Sequence, residues 1–345
     1  MKAAVLHAPR KLIFEERPEP AISSGDEVLI EIKNVGICHS DVHYYVHGRI
    51  GDFIVKEPII LGHECSGVVI EKGKDVSNVD IGDRVIIEPA SPCRKCPNCK
   101  TGRYNICENL RFMGTPPTDG AFREYVVWPS DFVYKMPEDM NFEEAALIEP
   151  FSVALYSVKR AGLSPGSRVA ILGAGTIGLM TLLATRECGA SEIFITDIVD
   201  YKLKLAEKLG ATAAINSKKE DPVKSIKYLT DGRGVDVVFE AVGIDTTFNQ
   251  ALKLVKVGGK VVVIGLGFKE LSTVPVIDIP TKELDIIGIL RYANVFPEAI
   301  RLAAHRKLPL TKLITRRLDL PELVKGMEAI AEGKEDEVKV MIRVR

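Results

Sequence analysis

Residues 168–178 read Arg-Val-Ala-Ile-Leu-Gly-Ala-Gly-Thr-Ile-Gly, an apolar strand that passes directly into a glycine-rich turn. Gly173, Gly175 and Gly178 form the pattern G-x-G-x-x-G. The first glycine permits the tight turn, the second lets the backbone approach a pyrophosphate, and the third lets the following helix pack close to the strand. The helix start also presents N–H groups that favour an anion. The stretch therefore predicts a dinucleotide-binding turn at the start of a β-α-β unit.

The next strand supplies the acid that this pattern requires. Glu192-Ile-Phe-Ile-Thr-Asp197 ends in a carboxylate 19 residues after Gly178, where it can accept hydrogen bonds from the ribose of adenosine. The same charge repels a 2′-phosphate, which favours NAD over NADP. The alternative is a glycine-rich turn that binds another ligand, or none. We assign cofactor binding to Gly173, Gly175, Thr176, Ile177, Gly178, Asp197 and Lys202.

Short apolar strands alternate with helical periods from residue 152 to 289, which is typical of a parallel, doubly wound sheet. One of these strands ends at a second glycine turn, made of Gly265, Leu266 and Gly267. This turn suits a close approach of the backbone to the nicotinamide half of the cofactor, but an ordinary turn explains it equally well. The three residues are kept as cofactor-binding candidates.

The rest of the chain has a different sequence pattern. Residues 1–151 contain short β-strands broken by Gly, Pro and Asp, and residues 290–345 contain helical stretches and a final strand at 338–344. We therefore predict an α/β protein in which a Rossmann domain, 152–289, is inserted into a β-rich domain made of residues 1–151 and 290–345. The cleft between two such domains is where active sites commonly form.

Composition excludes several classes of protein. Hydrophobic residues make up 46% and charged residues 27% of the 345, so ordinary cores can form. The formal net charge is -1, which provides no field for nucleic acid or an anionic membrane. The N-terminal stretch has no apolar signal-peptide core, and no run approaches the roughly 18 apolar residues of a membrane span. We expect a cytoplasmic protein without nucleic-acid or membrane partners.

Four of the seven cysteines stand close together in a loop rich in Pro, Lys and Asn. Cys93, Cys96, Cys99 and Cys107 have the spacing C-x2-C-x2-C-x7-C, which matches a closed tetrahedral zinc site that stabilises a loop. An iron–sulfur cluster and four free thiols are the alternatives, and zinc is favoured because no other electron-transfer feature is present. A nucleic-acid-binding zinc finger is disfavoured by the near-zero net charge.

A second set of ligand-type residues is dispersed along the chain. Cys38 lies in Gly36-Ile-Cys-His-Ser-Asp-Val-His43, His63 and Glu64 follow Gly62, and Glu149 precedes Pro150. Cys, His and carboxylate are the ligands of catalytic zinc sites that keep one position open. Spacing alone does not join residues this far apart.

The whole chain resembles the zinc-containing medium-chain dehydrogenases, whose β-rich domain is GroES-like, and within them the sorbitol and other polyol dehydrogenases. The matching runs are His43–Phe53, Glu88-Pro89, Lys100–Asn105, Thr115–Gly120, Ala145–Val153 and Arg291-Tyr292. The resemblance implies oxidation of a polyol such as sorbitol or xylitol at C2 to a 2-ketose, with hydride transfer to NAD. It also implies one catalytic and one structural zinc per chain, and a homo-oligomer, with a tetramer favoured.

The resemblance assigns roles residue by residue. Cys38, His63 and a glutamate hold the catalytic zinc, and both Glu64 and Glu149 remain candidates for the third ligand. Ser40 and His43 correspond to the family's proton relay, with Glu149 beside the reacting atoms. The positions that line the polyol pocket are Tyr44, Phe112, Thr115, Glu149, Arg291 and Tyr292.

This sequence departs from the family pattern in two places. His39 stands where sorbitol dehydrogenases usually have glycine, so it either assists cofactor binding near the pyrophosphate or is a solvated loop histidine. The four-cysteine loop is intact, whereas mammalian and some other sorbitol dehydrogenases lack it, which weakens the substrate assignment. The rival readings are a threonine 3-dehydrogenase or 2,3-butanediol dehydrogenase of the same superfamily, and a non-catalytic NAD-binding structural protein.

Overall fold

The glycine-rich turn lies in the second of two units. The first unit comprises Met1–Glu149 and Ala293–Arg345, and the second comprises Pro150–Tyr292. The sequence-predicted boundaries, 151/152 and 289/290, stay a prediction. A helix, Ile148–Ala161, runs through the first division, so no loop marks a sharp boundary there. The computed structural model describes residues 1–267, 274–334 and 336–345.

The first unit is rich in short strands. Its elements are β1 (Lys2–Ala8), β2 (Lys11–Glu16), β3 (Glu27–Gly36), α1 (His39–His47), β4 (Arg49–Ile50), β5 (Phe53–Ile54), β6 (Ile59–Ile60), β7 (Glu64–Lys72), β8 (Arg84–Ile87), β9 (Ala90–Ser91), α2 (Pro97–Lys100), β10 (Arg111–Phe112), β11 (Tyr125–Pro129), β12 (Val133–Lys135) and α3 (Phe142–Ala146).

The chain then crosses into the second unit and returns. The elements are α4 (Ile148–Ala161), β13 (Arg168–Leu172), α5 (Thr176–Glu187), β14 (Glu192–Asp197), α6 (Asp200–Lys208), β15 (Ala213–Asn216), α7 (Pro222–Leu229), β16 (Val235–Glu240), α8 (Asp245–Leu254), β17 (Val255–Val263), α9 (Asp278–Thr281), β18 (Asp285–Gly288), α10 (Phe296–Arg306), β19 (Ile314–Asp319), α11 (Leu323–Ala331) and β20 (Lys339–Arg343). Short 3-10 turns lie at Tyr104–Ile106, Ser130–Phe132, Leu310–Leu313 and Leu320–Glu322.

β3 is the centre of the main sheet of the first unit. Its residues alternate between buried and partly exposed, because one face packs on the core and the other does not. The strands lie in the order β12-β8-β7-β3-β20-β19, and β11 also pairs with β3. In this register Gly36 faces both Glu64 of β7 and Met341 of β20. The end of β3, the start of β7 and the start of β20 therefore meet.

The sheet of the second unit is parallel, with the order β15-β14-β13-β16-β17-β18. This is the order of a doubly wound dinucleotide-binding sheet. Its central strands β14, β13 and β16 are buried on both faces, and their apolar runs result from that burial. Leu172, Asp197 and Glu240 stand at the carboxyl ends of neighbouring strands, on the edge where ligands of such sheets bind.

One strand departs from the sequence analysis. β19 lies in a region for which only helical stretches and a final strand are predicted. It pairs in parallel with β20 at the edge of the main sheet. Arg316 and Arg317 stand next to each other within β19 and interrupt the alternation that marks a strand in the sequence. Among the described residues, no helix combines the length and apolarity needed to cross a membrane.

Candidate active site and metal centres

The dispersed ligand residues Cys38, His63 and Glu64 come together. One ligand atom from each lies within 4.8 Å of the others. The antiparallel register of β3 and β7 is the reason, because Cys38 comes two residues after Gly36, and His63 directly precedes β7. His63 and Glu64 are buried, whereas Cys38 is partly accessible. A thiolate, an imidazole and a carboxylate at this spacing suit a zinc ion with one open position.

Helix α1 positions the first of these ligands. Cys38 is its N-cap, and the Asp41 carboxylate accepts a hydrogen bond from the Cys38 N–H at 3.0 Å. The helix ends at Gly48, whose positive φ of 69° allows the final turn. The second oxygen of Asp41 accepts from the Gly62 N–H at 3.0 Å and lies 3.6 Å from Nδ1 of His63. Asp41 therefore ties together the segments that carry the cysteine and the histidine.

Asp41 is a functional candidate that the sequence analysis missed. It is fully buried, and acidic groups beside a ligating histidine orient the ring and fix its tautomer. Its signal in the sequence is its position three residues after an N-cap, where an acid completes a capping box. Nδ1 of His63 is buried without a hydrogen-bond partner. Because Nδ1 faces Asp41 at 3.6 Å, the opposite ring nitrogen, Nε2, is the one available to a metal.

Lys339 is a second residue that the sequence analysis missed. Its Nζ donates to both carboxylate oxygens of Glu64 at 2.7 Å and to the carbonyl oxygen of Ile37 at 2.9 Å. The two side chains are almost completely buried. Burial lowers the pKa of Lys339, but the negative charges of Glu64, Cys38 and Glu149 outweigh burial and raise it. No short sequence motif predicts the role of Lys339, because 275 residues separate it from its partner Glu64.

Glu149 is buried in the first turn of α4, followed by Pro150. Its charge acts on Lys339 and on Glu88, which places it in the same region of the first unit. However, its carboxylate does not belong to the group of ligand atoms within 4.8 Å of one another. The geometry thus distinguishes two carboxylates that the sequence analysis leaves as equals.

Of the predicted pocket residues, Phe112 has the plainest contact with the site. Its ring centroid lies 5.5 Å from that of His63. Tyr44 is buried on α1, and Thr115 is partly buried in a turn whose N–H bonds to the carbonyl oxygen of Phe112. Arg291 is partly buried with a positive φ of 53°, and Tyr292 is buried at the end of the second unit.

The predicted relay residues Ser40 and His43 both lie on α1. They are three positions apart, so they share one face of the helix. His43 is partly buried, and its ring stacks on that of His47 with centroids 5.9 Å apart. Burial, assisted by the charge of His47, lowers the pKa of His43 to about 4. His43 is therefore neutral at physiological pH, and its lowered pKa makes it a weak base that can pass a proton on but does not retain it. His39 is exposed on the same helix.

The four cysteines of the loop also converge. Their sulfur atoms lie within 4.8 Å of one another, with Sγ–Sγ distances of 3.9 Å from Cys93 to Cys99 and 3.5 Å from Cys96 to Cys99. A tetrahedral zinc with Zn–S bonds of about 2.3 Å requires sulfurs about 3.8 Å apart. Backbone N–H groups point at these sulfurs and lower the pKa of Cys93 to about 6. The loop fits a closed tetrathiolate centre.

A hydrogen-bond network that starts at the buried Glu88 joins this loop to the returning chain. Tyr104 donates its hydroxyl to the Glu88 carboxylate at 2.6 Å and accepts from the Asn294 N–H at 2.9 Å. The Asn294 amide donates to the Gly102 carbonyl oxygen at 2.6 Å. The second Glu88 oxygen accepts from the Tyr134 hydroxyl at 3.0 Å, and burial raises the pKa of Glu88 to about 7. The loop is therefore tied to the chain two residues after Tyr292.

The glycine-rich turn has the geometry that its sequence predicts. Gly173 has a φ of 102°, which favours glycine, and a Cβ on Gly178 would lie 1.9 Å from the Gly173 carbonyl oxygen. A Cβ on Gly175 would meet no atom within 4 Å, so space is open above this backbone. Thr176 and Ile177 begin α5 directly after Gly175. The turn fits a pyrophosphate at the helix N-terminus.

Asp197 lies beside this turn. Its carboxylate accepts hydrogen bonds from the N–H groups of Ala174 at 2.7 Å, Ile198 at 2.8 Å and Val199 at 3.0 Å. These bonds fix the carboxylate and leave lone pairs for ribose hydroxyls. Lys202 lies in the first turn of α6, five residues later.

The second glycine turn packs against the end of β16. A Cβ on Gly265 would lie 2.3 Å from the Gly243 N–H nitrogen, and one on Gly267 would lie 2.5 Å from the Gly243 carbonyl oxygen. Leu266 between them is about half exposed. Glycine is thus required here by close backbone packing, whatever the ligand.

A cavity of about 730 Å³ is lined by residues 217–224 and by residues of α8, among them Asp221, Lys224 and Lys253. None of the predicted site residues lines it.

Comparisons with known proteins agree with this geometry. Residues 24–138 match the alcohol dehydrogenase GroES-like domain, and residues 176–305 match the zinc-binding dehydrogenase family. The chain is 43% identical to the sorbitol dehydrogenase of Bacillus subtilis, covering 99% of this chain and 97% of that protein. It is 40% identical to the D-xylulose reductase of Saccharomyces cerevisiae, with the same coverage.

A solved structure of a protein assigned as a zinc-binding dehydrogenase, from Sinorhizobium meliloti 1021, has NADP bound. It superimposes with a TM-score of 0.92 at 32% identity, covering 99% of both chains. The predicted fold class and family are confirmed, and zinc and a nicotinamide cofactor go with them. The chain belongs to the zinc-binding medium-chain dehydrogenases.

Proposed function

We propose that this chain oxidises a polyol, sorbitol or xylitol, at C2 to a 2-ketose and transfers the hydride to NAD. The observation that carries the proposal is the convergence of Cys38, His63 and Glu64 within 4.8 Å in a chain 43% identical to a sorbitol dehydrogenase. A second, four-cysteine centre accompanies it. We propose two zinc ions per chain, one at each centre.

Cys38, His63 and Glu64 hold the catalytic zinc in this proposal, and Glu149 acts from beside it, linked through water. A zinc ion there would supply a Lewis acid that lowers the pKa of the substrate hydroxyl. Support for Glu64 as the third ligand comes from its place among the clustered ligand atoms, which Glu149 lacks. Because Glu64 takes the third ligand position in this proposal, the Glu149 carboxylate is available to accept a hydrogen bond from a second hydroxyl of the polyol.

The proton released from the hydroxyl leaves along α1. With a cofactor bound, Ser40 and His43 would be the residues that take up the proton and pass it towards solvent, and His43 is neutral because burial lowers its pKa to about 4. The stacked His47 is exposed, so a proton that reaches His43 has a short way to solvent.

The family resemblance assigns the polar groups of Tyr44, Thr115, Arg291 and Tyr292 to the distal hydroxyls of the substrate. The Phe112 ring lies beside His63 as an apolar group. A pocket of paired polar groups rejects a substrate without hydroxyls, because its own groups are then buried without partners.

The second unit binds NAD in this proposal. Gly173, Gly175 and Gly178 receive the pyrophosphate at the start of α5, and Asp197 receives the ribose hydroxyls. The fixed carboxylate of Asp197 repels a 2′-phosphate. Thr176, Ile177 and Lys202 support the phosphates and ribose, the turn of Gly265, Leu266 and Gly267 supports the nicotinamide half, and His39 assists at the pyrophosphate.

We also propose a homo-oligomer in the cytoplasm, a tetramer by resemblance to the family. Apolar side chains near β18 are exposed in the single chain: Val276, Ile277, Ile286 and Leu290. β18 forms an edge of the parallel sheet as described, and an exposed apolar edge strand is normally covered. Sedimentation of the purified protein measures the oligomeric state.

The deciding experiment is a substrate panel. The purified protein is offered sorbitol, xylitol, ribitol, galactitol, L-threonine, 2,3-butanediol and ethanol, with NAD and then with NADP, and formation of the reduced cofactor is followed by absorbance. We expect the highest kcat/KM with sorbitol or xylitol and NAD, and the lowest with ethanol, by a factor of up to about 10⁴. A tenfold advantage of L-threonine or butanediol would refute the polyol assignment, and an advantage of NADP would refute the role of Asp197.

The proposed contact between Arg291 and the substrate is tested in the same panel. Arg291→Leu is expected to reduce kcat/KM for polyols more than for short alcohols, because only polyols extend to the guanidinium. Arg301→Leu, a change on the outer face of α10, is the matched control. Equal losses for all substrates would show that Arg291 supports the fold and not the substrate.

A further inference from the structure

Lys339 forms a buried ion pair that the proposed mechanism does not use. Its side chain is 2% exposed, and its ammonium group donates to both oxygens of Glu64 and to the Ile37 carbonyl oxygen, so all three of its hydrogens are used. Glu64 is 1% exposed. A fully buried lysine is rare unless it forms an ion pair with a buried group of negative charge.

The partner of Lys339 is a proposed metal ligand. The Glu64 carboxylate lies within 4.8 Å of the ligand atoms of Cys38 and His63. It occupies the space that a side chain at position 36 would need, because a Cβ on Gly36 would lie 2.0 Å from a Glu64 oxygen. One fixed carboxylate thus faces two cations, the ammonium group of Lys339 and the metal ion proposed for this centre.

We propose that Lys339 is the internal counter-ion of Glu64, a positioning residue that neutralises this carboxylate while the metal is absent and competes with the metal for it. The inference rests on the proposed metal site at Cys38, His63 and Glu64. A buried carboxylate without a cation is strongly destabilising, so Lys339 lets the first unit fold before it is loaded. Once the metal is bound, two cations share one carboxylate, and the affinity for the metal is lower than it would be without the lysine.

This competition has a thermodynamic signature that packing alone does not produce. If Lys339 only fills space, then removing it lowers stability by the same amount with and without metal. If it is a counter-ion, then the loss is large without metal, and zinc restores most of it by replacing the missing charge. By linkage, the restored stability equals the gain in metal affinity.

The test compares Lys339→Met and Lys339→Arg in the full-length protein, with Lys135→Met as the control for a half-exposed lysine paired with Asp83. Thermal unfolding is measured after removal of metal with a chelator and again at saturating zinc. We expect Lys339→Met to lower the melting temperature by about 10 °C without metal and by less than half of that with zinc. Lys339→Arg keeps the charge and should remain close to the wild type. Competition with a zinc-binding dye should show at least tenfold tighter binding by Lys339→Met.

A second variant keeps the proposal testable if Lys339→Met folds poorly. Glu64→Gln removes the charge that Lys339 neutralises, so the double variant Glu64→Gln/Lys339→Met should be more stable than Lys339→Met alone in metal-free buffer. Equal losses with and without zinc, or no rescue by Glu64→Gln, would overturn the counter-ion role. Neither result depends on the substrate, so failure of the polyol assignment in the panel is a separate outcome.

Discussion

The two cysteine-containing centres of the first unit are built in opposite ways. The four-cysteine centre takes all its ligands from residues 93–107, and its own backbone N–H groups point at the sulfurs. The centre at Cys38, His63 and Glu64 takes its ligands from the ends of two strands and its ion-pair partner from a third. The first is a property of one loop, whereas the second is a property of sheet register. A closed local centre suits stability, and an open centre at a sheet end suits chemistry.

Ser40→Ala is expected to show the largest contrast between the centres, because the proposed proton relay involves Ser40 only at the centre of Cys38, His63 and Glu64. We expect kcat to fall by a factor of about 10² to 10⁴, the range for a lost acid–base group, with little change in melting temperature or cofactor affinity. Steady-state rates with sorbitol and a cofactor titration measure both. An unchanged rate, with hydride transfer shown to limit turnover by deuterated sorbitol, would remove Ser40 from the relay.

Cys96→Ser is expected to do the reverse. Losing one of four thiolates empties the loop centre, so the melting temperature should fall by about 5–10 °C while turnover per folded molecule changes less than twofold. Metal analysis should find two zinc ions per chain in the wild type and one in the variant. Cys188→Ser, a change outside both centres, is the control. One zinc per chain in the wild type would contradict the two-centre proposal.

Asp41→Asn is expected to separate the centres through metal affinity. Asp41 faces His63 and accepts from the N–H groups of Cys38 and Gly62, so the amide should lower affinity at the catalytic centre by about 10- to 100-fold. The loop centre should keep its metal. Dialysis against increasing chelator, with zinc counted at each step, measures this, and Asp80→Asn on the surface is the control. Loss of both metals together would mean that Asp41 supports the fold alone.

Tyr104→Phe is expected to give the smallest effect and to test the link between the loop and the returning chain. The variant keeps the ring and loses the hydroxyl that bonds to Glu88 and Asn294. A net loss of about 1 kcal/mol per hydrogen bond predicts a fall in melting temperature of a few degrees. Asn294 comes two residues after Tyr292, in the segment that we propose to bind the substrate through Arg291 and Tyr292. We therefore expect KM for sorbitol to rise more than kcat falls. A change in kcat without a change in KM would contradict the proposed connection between Tyr104 and substrate binding. Tyr125→Phe, which removes the hydroxyl of another tyrosine, is the control.

The contrast also explains what the sequence could predict. The loop centre and the glycine-rich turn are encoded locally, so spacing and hydrophobic pattern sufficed for Cys93–Cys107 and for residues 168–178. The dispersed centre required a family resemblance, because no rule of spacing joins Cys38 to His63. The role of Lys339 could not be predicted from the sequence, since its contact with Glu64 depends on the pairing of β20 with β3. The strand β19 was missed because adjacent arginines hide its alternation.

The late arrival of β20 has a consequence for synthesis of the protein. Glu64, at the start of β7, and Lys339, at the start of β20, are separated by 275 residues, which include part of the first unit and the whole second unit. At about 5–20 residues per second, a ribosome needs at least about 14 seconds to deliver the lysine after the glutamate. During that interval the nascent first unit carries Cys38, His63 and Glu64 without their cation. By the counter-ion proposal, the three ligand residues therefore form a stable buried cluster only after β20 has been made or a metal ion has bound.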